Sequence, residues 1–211
     1  NGIVVGSGIT LSKDGDIFTT GITTFGGAVN IPSASATILN AGKTGIAFTD
    51  ANVKVGNTAL DSLTTGTNNT AVGHNALTAN TTGTQNTAVG SNALATNTTA
   101  TGNTALGYFS LTSENTGASN TGVGWKSLAN QQGGSSNTAI GYNSMFTNTT
   151  GGSNVAVGYA ALDANTTGSQ NVALGANALG SNTTADDNAA FGSGALSNNT
   201  TGTKNTAIGR G

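Results

Sequence analysis

Residues 69–99 read NTAVGHNALTANTTGTQNTAVGSNALATNTT. The stretch says nearly the same phrase twice, in Asn, Thr, Ala and Gly, without one Lys, Arg, Asp or Glu. The phrase N-T-A-V-G, with its variants, begins at Asn69, Asn86, Asn103, Asn120, Asn137, Asn154, Asn171, Asn188 and Asn205, and every step is 17 residues. Asn52 opens a weaker copy, N-V-K-V-G. Nine full units therefore run from Asn52 to Lys204, and a tenth begins at Asn205. A fixed period over this many copies marks an architecture of stacked repeats.

We number the positions of each unit from its Asn. Position one is always Asn and position five always Gly, as in Asn69 and Gly73, Asn86 and Gly90, Asn137 and Gly141. Position two is mostly Thr, with Val at Val53, Val155 and Val172. Position three is Ala except at Lys54 and Gly122. Position four is apolar throughout, from Val55 to Ile208. Position eight is Ala or Ser, and position nine is Leu apart from Met145. A polar stretch follows, often N-T-T-G.

Alternation over positions two to four is a strand signal. Gly at position five suits a turn with positive φ or close chain approach, and N-T-T-G has turn chemistry. Each unit thus reads as one coil of a parallel β-solenoid. Coils stacked about 4.8 Å apart would make a rod about 45–50 Å long. The position-one amides would lie over one another and hydrogen-bond as a ladder. We expect the fourth-position residues to share one core with the ninth-position Leu. The tiny third position would face the other way, onto a partner chain. Self-association is expected because about 25 cal/mol per Å² of buried apolar area hardly offsets ordering at about 1–2 kcal/mol per residue in so small a coil.

Composition fits an all-β chain held by backbone ladders. Of 211 residues 33 are Gly, aromatics are 5% and charged residues 7%, and the net charge of −2 is too small for typical disorder. With no Cys there is no disulfide framework and no thiolate metal site. No apolar run approaches the ~20 residues that span a membrane, so no membrane insertion is expected. The near-neutral balance argues against a nucleic-acid partner. A chain that opens at Asn1 and stops inside a repeat is expected to be a piece of a longer protein.

Two regions are expected: an N-terminal β-rich connector over 1–51, and the repeats over 52–211. In the first, Ile9–Leu11 and Ile17–Thr20 read as strands joined by a Lys13-Asp14-Gly15-Asp16 turn. Pro32 and the Ser/Ala-rich stretch to Ala36 read as a connector, and Gly42 to Val55 returns to short strands.

The N-T-A-V-G units resemble the head repeats of trimeric autotransporter adhesins, whose signature is close to S-V-A-I-G. Thr70-Ala71-Val72-Gly73, Val155-Ala156-Val157-Gly158 and Thr206-Ala207-Ile208-Gly209 carry the match. The resemblance covers residues 52–211. It implies a left-handed β-roll of ten coils, a homotrimer and a role in adhesion. The 17-residue period is longer than the usual head repeat and the N-T-T-G loop is an addition. No neck or coiled-coil stalk is present. The segment GITLSKDGDIFTTGITTF, from Gly8 to Phe25, resembles segments of tail-fibre and other structural proteins of marine bacteriophages. The two together imply an extracellular, virion-borne tail fibre that joins other virion proteins and meets a glycan or protein receptor on the host surface. The alternative is a bacterial surface adhesin head. A third reading is an ice-binding solenoid using the in-register pairs Thr81-Thr82, Thr98-Thr99, Thr149-Thr150, Thr166-Thr167 and Thr200-Thr201.

Position six is the variable one, and it is aromatic in four consecutive coils: Tyr108, Trp125, Tyr142 and Tyr159. A regular solenoid would line them up along one edge. Such a stripe is either a receptor- or glycan-contact strip or a ladder stacked for stability. Phe109 and Phe146 beside it are expected in the core. His74, the single histidine, cannot build a multi-His metal site. Asp14 and Asp16 sit in turn chemistry and Asp186-Asp187 in a loop, so neither pair is read as a Ca²⁺ site. The N-x-[S/T] matches at Asn80, Asn97, Asn148, Asn165, Asn182 and Asn199 follow from the loop column itself. No nucleophile–base pair or phosphate-binding glycine motif emerges. No enzyme activity, metal or cofactor is expected.

Overall fold

The computed structural model describes the strands Ile9–Leu11 and Ile17–Thr19 and residues 51–211 apart from Asn115. The chain divides into two units, Asn1–Ile46 and Ala47–Gly211. In the first, β1 (Ile9–Leu11) pairs antiparallel with β2 (Ile17–Thr19), Ile9 opposite Thr19. The expected turn at 13–16 with its Asp pair, Thr20, the Pro32 connector and the stretch 42–50 lie outside the described residues.

The second unit is a β-solenoid. Ten three-residue strands, from β3 (Val53–Val55) through β8 (Thr138–Ile140) to β12 (Thr206–Ile208), form one sheet in chain order. All neighbours in this sheet pair parallel with a shift of one repeat, so Val53 lies opposite Thr70 and Thr138 opposite Val155. Most backbone hydrogen bonds join one coil to its neighbours, and short turn bonds such as Asn80 N–H to Leu77 C=O at 3.1 Å close within a coil. Thr87 N–H donates to Asn103 C=O at 2.8 Å, Leu94 N–H to Ser110 C=O at 3.1 Å and Thr81 N–H to Thr98 C=O at 2.9 Å. Strand, turn and loop alike are thus tied along the stack.

The interior explains the invariant columns. Each position-one Asn from Asn52 to Asn188 is buried, and Asn205 in the last coil is half-buried. Asn137 Oδ1 accepts the N–H of Asn154 at 3.0 Å, and its Nδ2 donates to Gly151 C=O at 2.8 Å. The same pair of bonds recurs at Asn69, Asn86, Asn103 and Asn120. The expected amide ladder is therefore present, and it closes strand to loop as well as coil to coil. A second buried column stands at position twelve. Asn97 Nδ2 donates to Asn80 Oδ1 at 2.8 Å, and Asn182 Nδ2 to Asn165 Oδ1 at 3.0 Å. Glu114 and Gln131 replace Asn there, and Glu114 accepts the backbone N–H groups of Thr116 and Gly117. Asn80, Asn97, Asn148, Asn165 and Asn182, read above as N-x-[S/T] matches, are thus sealed inside.

Position-five glycine is required twice over. Gly73 has φ 135°, and a Cβ on it would stand 2.6 Å from the carbonyl oxygen of Gly90 in the next coil. L-residues are also forced left-handed at positions seven, nine and seventeen, as at Asn75 (56°), Leu77 (51°) and Gln85 (59°). Each costs about 1 kcal/mol, which the inter-coil bonds offset.

Two expectations are overturned. The alternation is real, but its phase is reversed. Third-position Ala71, Ala88, Ala139, Ala156 and Ala173 are fully buried in the roll's own interior, packed with Leu77, Leu94, Leu128 and Leu162 from position nine. They do not face a partner chain. Fourth-position residues lie on the outer sheet face, with Leu106 47%, Ile140 40% and Leu174 44% exposed. The cause is width: a coil that already seats one Leu leaves room across it only for a methyl. Larger side chains must turn out.

Candidate receptor-contact edge

Position six follows the position-five glycine turn, where the chain leaves the sheet. Its carbonyl is fixed by the next coil: Asn143 N–H donates to Trp125 C=O at 3.0 Å, Ala160 N–H to Tyr142 C=O at 2.9 Å, and Asn177 N–H to Tyr159 C=O at 2.9 Å. The column therefore inherits the strand spacing. Rings one coil apart fall face to face.

Three of the four predicted aromatics form that stack. Trp125 and Tyr142 lie 4.6 Å apart between centroids at 7°, and Tyr142 and Tyr159 lie 5.4 Å apart at 8°. Such pairs are worth about 0.5–1.5 kcal/mol beyond area burial. Tyr108 instead sets its ring edge-on to Phe109, at 4.5 Å and 62°. The Lys126 ammonium stands 4.4 Å from the Trp125 ring centroid and 5.9 Å from that of Phe146. Phe109 and Phe146, expected in the core, are only half-buried; the interior at their coils is already filled by Leu111 and Met145. All four position-six aromatics are exposed, from 37% at Trp125 to 58% at Tyr159.

Chemically, the edge offers aromatic surface, phenol hydroxyls and one ammonium. His74 is exposed on the same column, two coils before Tyr108. Asp186 and Asp187 are exposed, and Asp186 accepts the Ser169 N–H at 2.7 Å. Among the described residues no group of three His, Cys, Asp or Glu is placed to hold a metal, and no helix is long and apolar enough to cross a membrane.

The sequence reading missed the outer apolar column at position four. Its signal was present: position one, an Asn with hydrogen-bonding work to do, is in phase with position three rather than with positions two and four. Comparisons with family models, with curated proteins and with solved structures found no match.

Proposed function

We propose that the chain is a structural and adhesive fibre segment that assembles as a homotrimer, belongs to a phage tail fibre at the virion surface, and contacts a host-surface receptor without catalysing a reaction. The observation that carries this reading is the outward column Val72, Val89, Leu106, Val123, Ile140, Val157, Leu174 and Phe191. It is an apolar strip running along the outer sheet face, with Leu106, Ile140, Leu174 and Phe191 exposed and the valines half-buried, of the kind that marks an interaction surface. The occupant it suits best is another copy of the same rod, because only an identical repeat keeps the same pitch over the whole length. An ordinary globular partner would meet the strip over a coil or two. The bacterial adhesin-head reading is favoured by the same T-A-V-G columns and differs in the owner of the fibre. The ice-binding reading is weakened because Thr81, Thr149 and Thr166 spend their hydroxyls on carbonyls of the next coil.

The test uses the lack of native Cys. Val123→Cys, on the strip, is expected to form a disulfide-linked pair of chains on mild oxidation, while Thr99→Cys, on the loop side, stays single. Equal behaviour of the two variants overturns the assignment of the interface.

A further inference from the structure

The aromatic stack has one open end. Trp125 is covered by Tyr142 on one side and carries the Lys126 ammonium. Tyr142 is sandwiched between Trp125 and Tyr159. Tyr159 has a neighbour on one side only, because the next coil places Ala176 at position six, then Ser193, then Arg210. It is the most exposed ring of the four. The backbone keeps its register across the gap: Gly194 N–H donates to Ala176 C=O at 2.9 Å and Gly211 N–H to Ser193 C=O at 3.1 Å. Tyr159 and Arg210 are three coils apart, about 14 Å along the stack.

We propose that this interval is a binding slot for an acidic saccharide, with the sugar ring stacked on the free face of Tyr159 and a carboxylate held by Arg210. The proposal rests on the adhesive reading above and names its ligand. Each part of the slot fits one feature of such a ligand. The Tyr159 face takes the apolar C–H face of a pyranose. Ala176 and Ser193 are small enough to leave the space over them empty. Asn177, exposed beside Ala176, and the exposed Ser193 hydroxyl supply hydrogen bonds to sugar hydroxyls. The exposed Arg210 guanidinium suits the planar, bidentate geometry of a carboxylate. The carboxylates of Asp186 and Asp187 precede their strand while position six follows it, so they stand at the opposite edge of the sheet.

The probe is a galacturonic acid oligomer, with its methyl ester as the uncharged control, titrated calorimetrically into the whole chain. The acid is expected to bind about tenfold more tightly than the ester. Ala176→Tyr adds a fourth ring to the stack, as Tyr142 and Tyr159 already do, and fills the slot. It and Arg210→Gln are each expected to weaken acid binding about tenfold or more. Ser91→Tyr, before the stack, is expected to change nothing. Undiminished binding in Ala176→Tyr, or no binding of the acid by the unaltered chain, overturns the slot. Self-association is read separately. An assembling chain that ignores the acid sinks the slot and leaves the fibre reading, whereas a monomer sinks the fibre reading.

Discussion

The side chain that does most for this fold is the position-one Asn, because a single amide closes its own coil and bonds the next. Removing Asn137 strands the N–H of Asn154 in the interior and leaves the Gly151 C=O with the Asn148 amide alone. Asn137→Ala is expected to cost about 3 kcal/mol, read as a fall in the urea midpoint; a change within error contradicts the ladder. Asp163 gives a residue-scale test in pH. Burial raises its carboxyl above the ordinary 3.8, against lowering hydrogen bonds from its own backbone and that of Ala164. The fold therefore disfavours the carboxylate, and stability present below 3.8 is lost as pH rises through the raised value. Asp163→Asn is expected to match the unaltered chain in acid and exceed it at neutral pH, by urea unfolding at both. At this scale the Asn and Gly columns could be read from sequence, since invariance in a repeat has few physical causes. The left-handed Leu column could not, because Leu has no local preference for φ near 50° and the stack imposes it.

A strand of three residues carries little information of its own. Its alternation shows that two faces exist but not which face is inside, and here bulk misled. Val and Leu suggest an interior, yet the roll is too narrow for them opposite the ninth-position Leu. The phase sits in the Asn, which is buried for its hydrogen bonds, and in the uniform smallness of position three. Two neighbours in β8 separate these roles. Ala139→Leu overpacks the interior and is expected to destabilise the roll itself by about 3 kcal/mol. Ile140→Asp is expected to leave each roll folded, with an unchanged β-type circular dichroism spectrum, while abolishing association. The reverse pattern would restore the fourth position to the core.

Across the whole molecule, stability is the sum of like coils and the contacts between them. The period, the number of coils and the parallel stacking were all legible, because every coil must fit its neighbour and the sequence records that fit column by column. The outward face of position four was harder to read, because bulk alone is compatible with a wider core; the buried Asn in phase with position three, together with the narrow roll, places these residues outside. The aromatic edge was half legible. Its column follows from the period, but the turning of Tyr108 onto Phe109 depends on side-chain packing that spacing does not encode. The central claim is that the outer position-four strip joins copies of this chain. The most direct test is the mass in solution by light scattering, for the unaltered chain and for Ile140→Asp. The account predicts three times 20.4 kDa for the first and a folded single chain for the second. A folded monomer of 20.4 kDa for the unaltered chain would contradict it.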